Sequence, residues 1–392
     1  MKILYHHRTQ STGAEGVHIA YVIKGFQELG YHVQVISPSG KEPMETAGGN
    51  PFAIKKGLKA RVLGFLSRNL PQSMFEILEI IYNAEAYLKI KTAIQTTQIK
   101  FIYERYAFFS VAGSYLAEKF EIPFVVEANE IAGYKRVRRQ CFVGLAQRME
   151  QKIFDRATAI LVVSEFLKEE IKKLDIDSKK IFVIPNAVDP KEFSLNISPE
   201  SLKKRFGVPS ETVTFGFIGW FVAWHNIELL IDVFAEVAQG RKVLLFLVGD
   251  GVLKEELLKR IRAKGVEDKV IFTGAVPYKQ IPEYISLMDI CVIPGSNEYR
   301  SPIKLFEYMA MAKAVVAPRL KPIESIVTHE QEGMLFEPDN ADSLRKIFLK
   351  LLPSTETRRR LGENARRKIL EHHTWLHNAQ RVVDIVEKGS FS

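Results

Sequence analysis

The chain has 392 residues, more than one hydrophobic core usually organises, so two domains of ordinary size are expected. Its 46% hydrophobic and 26% charged residues exclude a disordered chain, and two cysteines in separate halves, Cys141 and Cys291, suit a reducing cytoplasm and argue against a disulfide scaffold or zinc cluster. The net charge of +9 is uneven: basic residues crowd positions 55–105 and the run KRVRR at 135–139, which points to an anionic surface or substrate as well as to plain solvated lysines.

The start, MKILYHHR, has no signal-peptide core, and the longest apolar run, VTFGFIGWFVAW at 213–224, is too short to span a bilayer. A cytoplasmic protein is expected. KILYHH (2–7) reads as a strand, TGAEG (12–16) as a glycine-bearing loop, and the spacing of Ala20, Val22, Ile23, Phe26 and Leu29 as a helix that ends at Gly30. HVQVIS (32–37) is the next strand, so the first half begins as a βαβ unit with a parallel sheet. Residues 52–98 are mainly helical, interrupted at LPQ (70–72). Strands resume at FIYERY (101–106), PFVVEAN (123–129) and AILVVS (159–164), and IFVIPNAV (181–188) closes the half with a Pro–Asn turn.

DPKEFSLNISPES (189–201) is polar and proline-bearing, the expected connection between domains. The second half alternates strands and helices again. It has strand VTFGFIGW (213–220), helix IELLIDVFAEVA (227–238), the almost wholly apolar strand VLLFLVGDG (243–251), strand KVIFTGAV (269–276), helix IPEYISLM (281–288), strand DICVIPG (289–295), a helix from Pro302, and strand AVVAP (314–318). ARRKILEHHTWLHNAQRVVDIVEK (365–388) is a long helix or a broken pair. The expected architecture is α/β: two doubly wound, Rossmann-like domains, 1–188 and 189–369, with segment 370–392 packing back on the first. Ligands bind beyond the carboxyl ends of such strands, and two such edges are expected to face a cleft.

In RSPIKLFEYMA (300–310), Ser301 is a good N-cap and Pro302 a good first helical residue. Free N–H groups and the helix dipole at such a start make an anion site. Lys304 opposes that dipole, which makes sense if an anion arrives, and Glu307, one turn on, can accept two ribose hydroxyls. The alternative is a plain i,i+3 Lys–Glu pair. FIGW (217–220), VGDG (248–251) and FTGAVP (272–277) are further strand ends running into glycine turns, where a backbone can approach a ligand or simply turn. Together these loops suggest a nucleotide-diphosphate pocket.

The order TGAEG, VSEFLKEEI (163–171), IPNAVD (184–189), FIGWFVAWHN, VGDG, FTGAVP and SPIKLFEYMA resembles the retaining, GT-B-fold glycosyltransferases of family 4 (group 1). The resemblance covers nearly the whole chain, closely in the second half and loosely in the first. It implies a nucleotide-sugar donor in the second domain, a sugar or lipid-linked acceptor in the first, and no obligatory metal or cofactor. By that pattern Glu307 would bind the ribose, and the N–H groups around Ser301, Pro302 and Ile303 would hold the diphosphate. Gly274 and Val276 would lie near the base, with Gly219, Gly249 and Gly251 lining the pocket. The sequence also departs from the pattern. Of a glutamate pair ending at Glu307, the first member falls on Tyr299, with Glu298 one place off. An arginine and a lysine after the strand ending at Gly219 are replaced by Trp220 and His225. Lys304 is expected to take over part of their work, helped by His225 if it is protonated or donates a hydrogen bond.

In the first domain, Gly13, Ala14, Glu15 and Gly16 would form a phosphate or acceptor loop. Glu127 and Asn129 point to one side of their strand, where a ligand or a capped strand end would explain them, and Arg105 is a candidate for the leaving phosphate or an anionic acceptor. Lys304, Glu127, Asn129 and Arg105 are thus the catalytic candidates. His18 lies near the loop, although a lone helical histidine is more often structural. Residues 52–100 and 135–139 suggest contact with an anionic membrane, or else a helical insertion packed on its domain. Expected function is glycosyl transfer in cell-surface polysaccharide or lipid-linked glycan synthesis; a nucleotide-sugar epimerase of the same fold and a non-catalytic nucleotide-sugar binder are the alternatives. No G-x-G-x-x-G follows the first strand, which disfavours a dehydrogenase, and nucleic acid is not an expected partner.

Overall fold

The computed structural model describes residues 1–9, 13–38, 71–134 and 140–389. The chain divides into two compact units: Met1–Pro185 together with Trp375–Ser392, and Asn186–Thr374.

In the first unit six parallel strands, β1 (Lys2–His6), β2 (His32–Ile36), β3 (Ile99–Arg105), β4 (Phe124–Ala128), β5 (Ala159–Val162) and β6 (Ile181–Val183), run in the order 2-1-3-4-5-6. β1 has neighbours on both sides, β2 and β3, so the winding reverses between β1 and β3. Every residue of β4 and β5 is buried, as a parallel sheet covered on both faces requires. Helix Gly13–Glu28 follows β1 directly. Gly13, Ala14, Glu15 and Gly16 are therefore its first turn and not the loop expected from TGAEG. Gly25 on this helix lets the terminal helix Trp375–Gly389 approach closely: a Cβ there would lie 2.7 Å from the Trp375 carbonyl oxygen. The broken-pair alternative for the terminal segment is the one observed, because helix Thr355–His372 ends before Thr374 and a new helix starts at Trp375.

The second unit has strands β7 (Val213–Ile218), β8 (Val243–Val248), β9 (Val270–Gly274), β10 (Ile290–Val292), β11 (Ala314–Pro318) and β12 (Met334–Phe336), all parallel, in the order 12-11-10-7-8-9. Read from β9 this is the doubly wound order, with its switch point between β7 and β10. One face packs Phe215, Phe217 and Leu245 against helix Ile227–Ala238 and helix Ala341–Leu351; the other packs Phe246, Cys291 and Val315 against helix Ile303–Ala310. β12 and helix Ala341–Leu351 escape sequence reading, the strand because three residues carry no period.

Candidate functional site

In the second unit the strand ends β7, β8 and β9 lock their turns together. Gly219 N–H donates to the Val248 carbonyl at 3.0 Å, Gly249 N–H to the Gly274 carbonyl at 3.0 Å, and Phe221 N–H to the Asp250 carbonyl at 2.9 Å. A Cβ on Gly249 would lie 1.9 Å from the Gly219 carbonyl oxygen, and one on Gly251 2.4 Å from that of Phe221. These two glycines are required by turn-to-turn packing, whatever lies above them. Gly274 needs no space, only its φ of 76°. Val276 packs partly buried on the core beneath.

Helix Ile303–Ala310 starts at the switch point, after β10. Its Tyr308 is fully buried, and the hydroxyl accepts a hydrogen bond from Ile218 N–H at 2.9 Å, which fixes the helix to the end of β7. Pro302, not Ser301, is the N-cap, and no side chain caps the helix. Ser301 is committed elsewhere: its Oγ accepts from Asn186 N–H at 3.1 Å and its carbonyl from Asn186 Nδ2 at 2.5 Å. Asn186, within IPNAVD, thus ties down the loop that leads into the helix. Leu305 N–H turns back to the Pro302 carbonyl at 3.0 Å, while the N–H groups of Ile303 and Lys304 donate to nothing among the described residues. An uncapped start with two free donors is an anion site by construction.

Lys304 projects its ammonium over the Phe217 ring, 4.2 Å from the centroid, and reaches His225 Nε2 at 3.4 Å. A Cβ on Gly219 would lie 2.6 Å from its Nζ, so the glycine also makes room for the lysine. Burial pulls the lysine down to about 7, against the attraction of Glu307. Glu307 is buried, its Oε1 accepts from Tyr278 O–H at 2.8 Å, and burial pushes it up to about 7 against the pull of Tyr278 and Lys304. No ion pair joins Lys304 to Glu307 among the described residues, so the plain Lys–Glu pair is not what the helix forms. Each group faces its own partner, and Glu307 Oε2 has no hydrogen bond among the described residues.

His225 corrects the expectation placed on it. Its Nδ1–H donates to the Trp220 carbonyl at 2.6 Å, and burial with Lys304 nearby lowers its pKa to about 3. It is neutral at physiological pH, and Nε2 is an acceptor turned toward Lys304. It holds the lysine; it adds no positive charge. Two contributors carry no sequence signal of their own. Tyr278 follows β9 in a short turn and is recognisable only through its bond to Glu307. Arg300, just before the helix, lies 5.4 Å from the Trp224 ring centroid and 5.5 Å from that of Tyr299, with no carboxylate partner among the described residues. Glu298 is exposed, and Tyr299 occupies the place where the resemblance wanted an acid.

In the first unit the other candidates form one network, again beside the switch point. Glu127 Oε1 accepts from Arg105 at 2.8 Å and from Asn129 Nδ2, and Oε2 accepts from Tyr103 O–H at 2.7 Å. Arg105 also donates to His18 Nδ1 at 3.0 Å, which turns the His18 Nε2–H toward Glu127 at 3.5 Å. Burial holds His18 down to about 4, so it is neutral. Burial alone would raise Glu127, but His18, Arg105 and the Tyr103 and Asn129 hydrogen bonds outweigh it and hold the carboxyl below its usual range. Glu15, in the first helical turn, comes within 3.9 Å of Arg105. Both oxygens of Glu127 are thus occupied internally. Arg105, still 11% exposed, is the member whose charge reaches outward. Trp375 packs edge-on against His18, with ring centroids 5.1 Å apart. Among the described residues no three histidine, cysteine or carboxylate side chains gather as a metal site.

Two parallel six-stranded sheets covered by helices, each with polar residues at its switch point, define the twin Rossmann-like architecture called GT-B. The family model of glycosyl transferases group 1 matches residues 199–368 and that of glycosyltransferase family 4 matches residues 15–192, and the chain belongs to these glycosyltransferases. It is similar to the uncharacterized glycosyltransferase MJ1607 of Methanocaldococcus jannaschii, 27% identical over 230 residues, 58% of this chain and 59% of that protein. It is also similar to alpha-D-kanosaminyltransferase of Streptomyces kanamyceticus, 24% identical over 225 residues, 56% of this chain and 58% of that protein. The matched stretches thus span less than two thirds of these relatives' length. In fold it is similar to Anabaena Alr3699/HepE, solved in complex with UDP, with a TM-score of 0.75 at 18% identity over 99% of this chain and 100% of that one.

Proposed function

We propose that the protein transfers a sugar from a nucleotide-diphosphate donor to a sugar or lipid-linked acceptor, with retention of anomeric configuration and no obligatory metal or cofactor, in the synthesis of a cell-surface polysaccharide or lipid-linked glycan. The observation that carries this reading is Lys304: a desolvated cation with no carboxylate ion pair among the described residues, on a helix start with two N–H groups that donate to nothing among them, and with Glu307 separately held by Tyr278 one turn on. As the glycosyl–phosphate bond breaks, negative charge grows on the β-phosphate. Lys304 Nζ and the N–H groups of Ile303 and Lys304 face that charge, each worth roughly 3 kcal/mol in the transition state. The free oxygen of Glu307 accepts the ribose hydroxyls. The departing phosphate takes the acceptor proton, so no separate base is required.

On the acceptor side Arg105 meets an anionic group, and Glu127 acts through it by fixing the guanidinium. No helix among the described residues is long and apolar enough to cross a membrane. Contact with an anionic membrane, at its cytoplasmic face, is proposed instead through the region 52–100 and the run 135–139; residues 52–70 and 135–139 lie outside the described residues.

Thermal-shift screening of UDP-, GDP- and ADP-sugars tests the donor, since a bound donor raises stability by mass action. UDP-sugars come first, because the Anabaena protein of similar fold was solved with UDP. Lys304→Ala should lower turnover far more than donor affinity, and the anomeric configuration of the product is read by NMR. A melting temperature unmoved by every nucleotide sugar, or an unchanged turnover number in Lys304→Ala, refutes the assignment.

A further inference from the structure

A second cation stands at the switch point of the second unit, just outside the helix start that carries Lys304. Arg300 precedes Ser301, which Asn186 pins through its Oγ and its carbonyl, so the arginine leaves the backbone at a fixed point. Its own N–H closes a turn on the Asn297 carbonyl at 3.2 Å. The loop after β7 packs directly on this one: a Cβ on Gly295 would lie 2.9 Å from the Trp224 carbonyl oxygen. Trp224 and Tyr299, both half-buried, therefore lie beside the guanidinium, their ring centroids 5.4 and 5.5 Å from Cζ. Arg300 is exposed, and its guanidinium makes no hydrogen bond or ion pair among the described residues. Arg300 and Lys304 hold separate positions: the arginine's charge acts on His225, whereas the charge acting on Lys304 is that of Glu307.

We infer that Arg300 is the partner of a carboxylate on the donor's sugar, so that the substrate is a nucleotide-activated uronic acid. The inference rests on the donor reading given above and names the chemical class of the sugar. In that reading the ribose lies on Glu307 and the diphosphate at the N–H groups of Ile303 and Lys304, one helical turn, about 5 Å, nearer the start. The donor therefore runs against the chain direction. The group beyond the diphosphate, the sugar, then meets the residues just before the helix, Tyr299 and Arg300, with Trp224 from the neighbouring loop. A neutral sugar presents hydroxyls, which a carboxylate accepts well, but the one carboxylate between β10 and the helix, Glu298, is exposed and forms no pair with Arg300 among the described residues. What stands here instead is a guanidinium, with five N–H donors and no acceptor, and an indole, whose N–H only donates. Two parallel donors of such a fork fit the two oxygens of a carboxylate. The diphosphate already has Lys304 and two N–H groups, which leaves Arg300 for a third negative charge.

The test compares donors that differ only where a carboxylate replaces a hydroxymethyl group: UDP-glucose with UDP-glucuronic acid, UDP-galactose with UDP-galacturonic acid, and GDP-mannose with GDP-mannuronic acid. Titration calorimetry on the full chain gives the affinity of each. In the pair that matches the protein the acid should bind at least about tenfold tighter. Arg300→Gln should bring the two members of that pair to within about twofold of each other. Arg300→Lys, which keeps the charge and loses the fork, should retain only part of the ratio. Lys254→Gln, which removes a cation on the helix after β8, should leave the ratio as it is. Equal binding of acid and neutral sugar by the wild type, or a preference that survives in Arg300→Gln, would overturn the inference. So would an Arg300→Gln variant that loses as much affinity for UDP or GDP alone as for the acid, since the arginine would then belong to the diphosphate. Tighter binding of the neutral sugars refutes this inference and leaves the transfer reading standing, whereas binding of none of the six removes both.

Discussion

Donor binding should exchange protons in a direction that reverses near pH 7. In the free protein Lys304 has fallen from 10.5 to about 7, chiefly through burial, which means that its surroundings disfavour the cation by about 5 kcal/mol. Glu307 has risen from 4.5 to about 7 for the same reason, with its charged form disfavoured by about 3 kcal/mol. A diphosphate next to Lys304 restores its proton, and ribose hydroxyls on Glu307 favour its carboxylate. At pH 8 about nine-tenths of Lys304 is neutral and about one-tenth of Glu307 protonated, so binding takes up about 0.8 proton. At pH 6 the fractions are exchanged, and binding releases about 0.8 proton. Titration calorimetry in buffers of different ionisation enthalpy measures both. Lys304→Met should abolish the uptake at pH 8 and keep the release at pH 6, and Glu307→Gln should do the reverse. Uptake at pH 8 that survives in Lys304→Met, or none in the wild type, would show that the lysine does not meet the anion.

Gly249→Ala should destabilise the second unit by on the order of 3 kcal/mol, because its Cβ would fall 1.9 Å from the backbone oxygen of Gly219; denaturant unfolding measures this, and a near-neutral result would mean the turns are not interlocked. Glu127→Gln should cost roughly 3 kcal/mol at neutral pH by leaving Arg105 buried without its counter-charge. Because the Glu127 carboxyl is held below its ordinary value of 4.5, its contribution is present above that pH and lost as pH falls through the folded value. The gap between variant and wild type should therefore close in acid; a constant gap would point to shape instead of charge.

Strands were legible from sequence wherever both faces are covered, because a run such as VLLFLV then carries its signal in every residue. Three features were not. The helix after β1 begins at Gly13, since glycines read as a loop when the helix that packs over them is out of view. Ser301 looked like a cap, but the helix starts one residue later, with Pro302 as N-cap, and the Ser301 hydroxyl instead accepts from Asn186 N–H, 115 positions earlier. Tyr278 became part of the site only through its bond to Glu307, a contact between segments 29 residues apart that no local pattern records. The acceptor candidates Arg105, Glu127 and Asn129 were each visible as polar residues on an apolar strand. Their order of dependence was not, because it lies in which oxygen meets which donor.

The replacement of two expected cations by Trp220 and His225 then has a physical sense. A lysine that must wait unpaired in a desolvated pocket needs neighbours that do not add charge. The His225 ring meets this need: Trp220 takes its only proton, and its bare Nε2 faces the ammonium at 3.4 Å. The Phe217 ring, at 4.2 Å, offers the other attraction without a formal charge. Two extra cations in this loop would push Lys304 further toward its neutral form, whereas these neighbours keep it near the balance point at neutral pH. Arg300, near the Trp224 and Tyr299 rings, is exposed, so solvent screens its charge. Lys304 therefore sits near the balance between its charged and neutral forms at neutral pH, on the same helix start whose Ile303 and Lys304 N–H groups donate to nothing among the described residues.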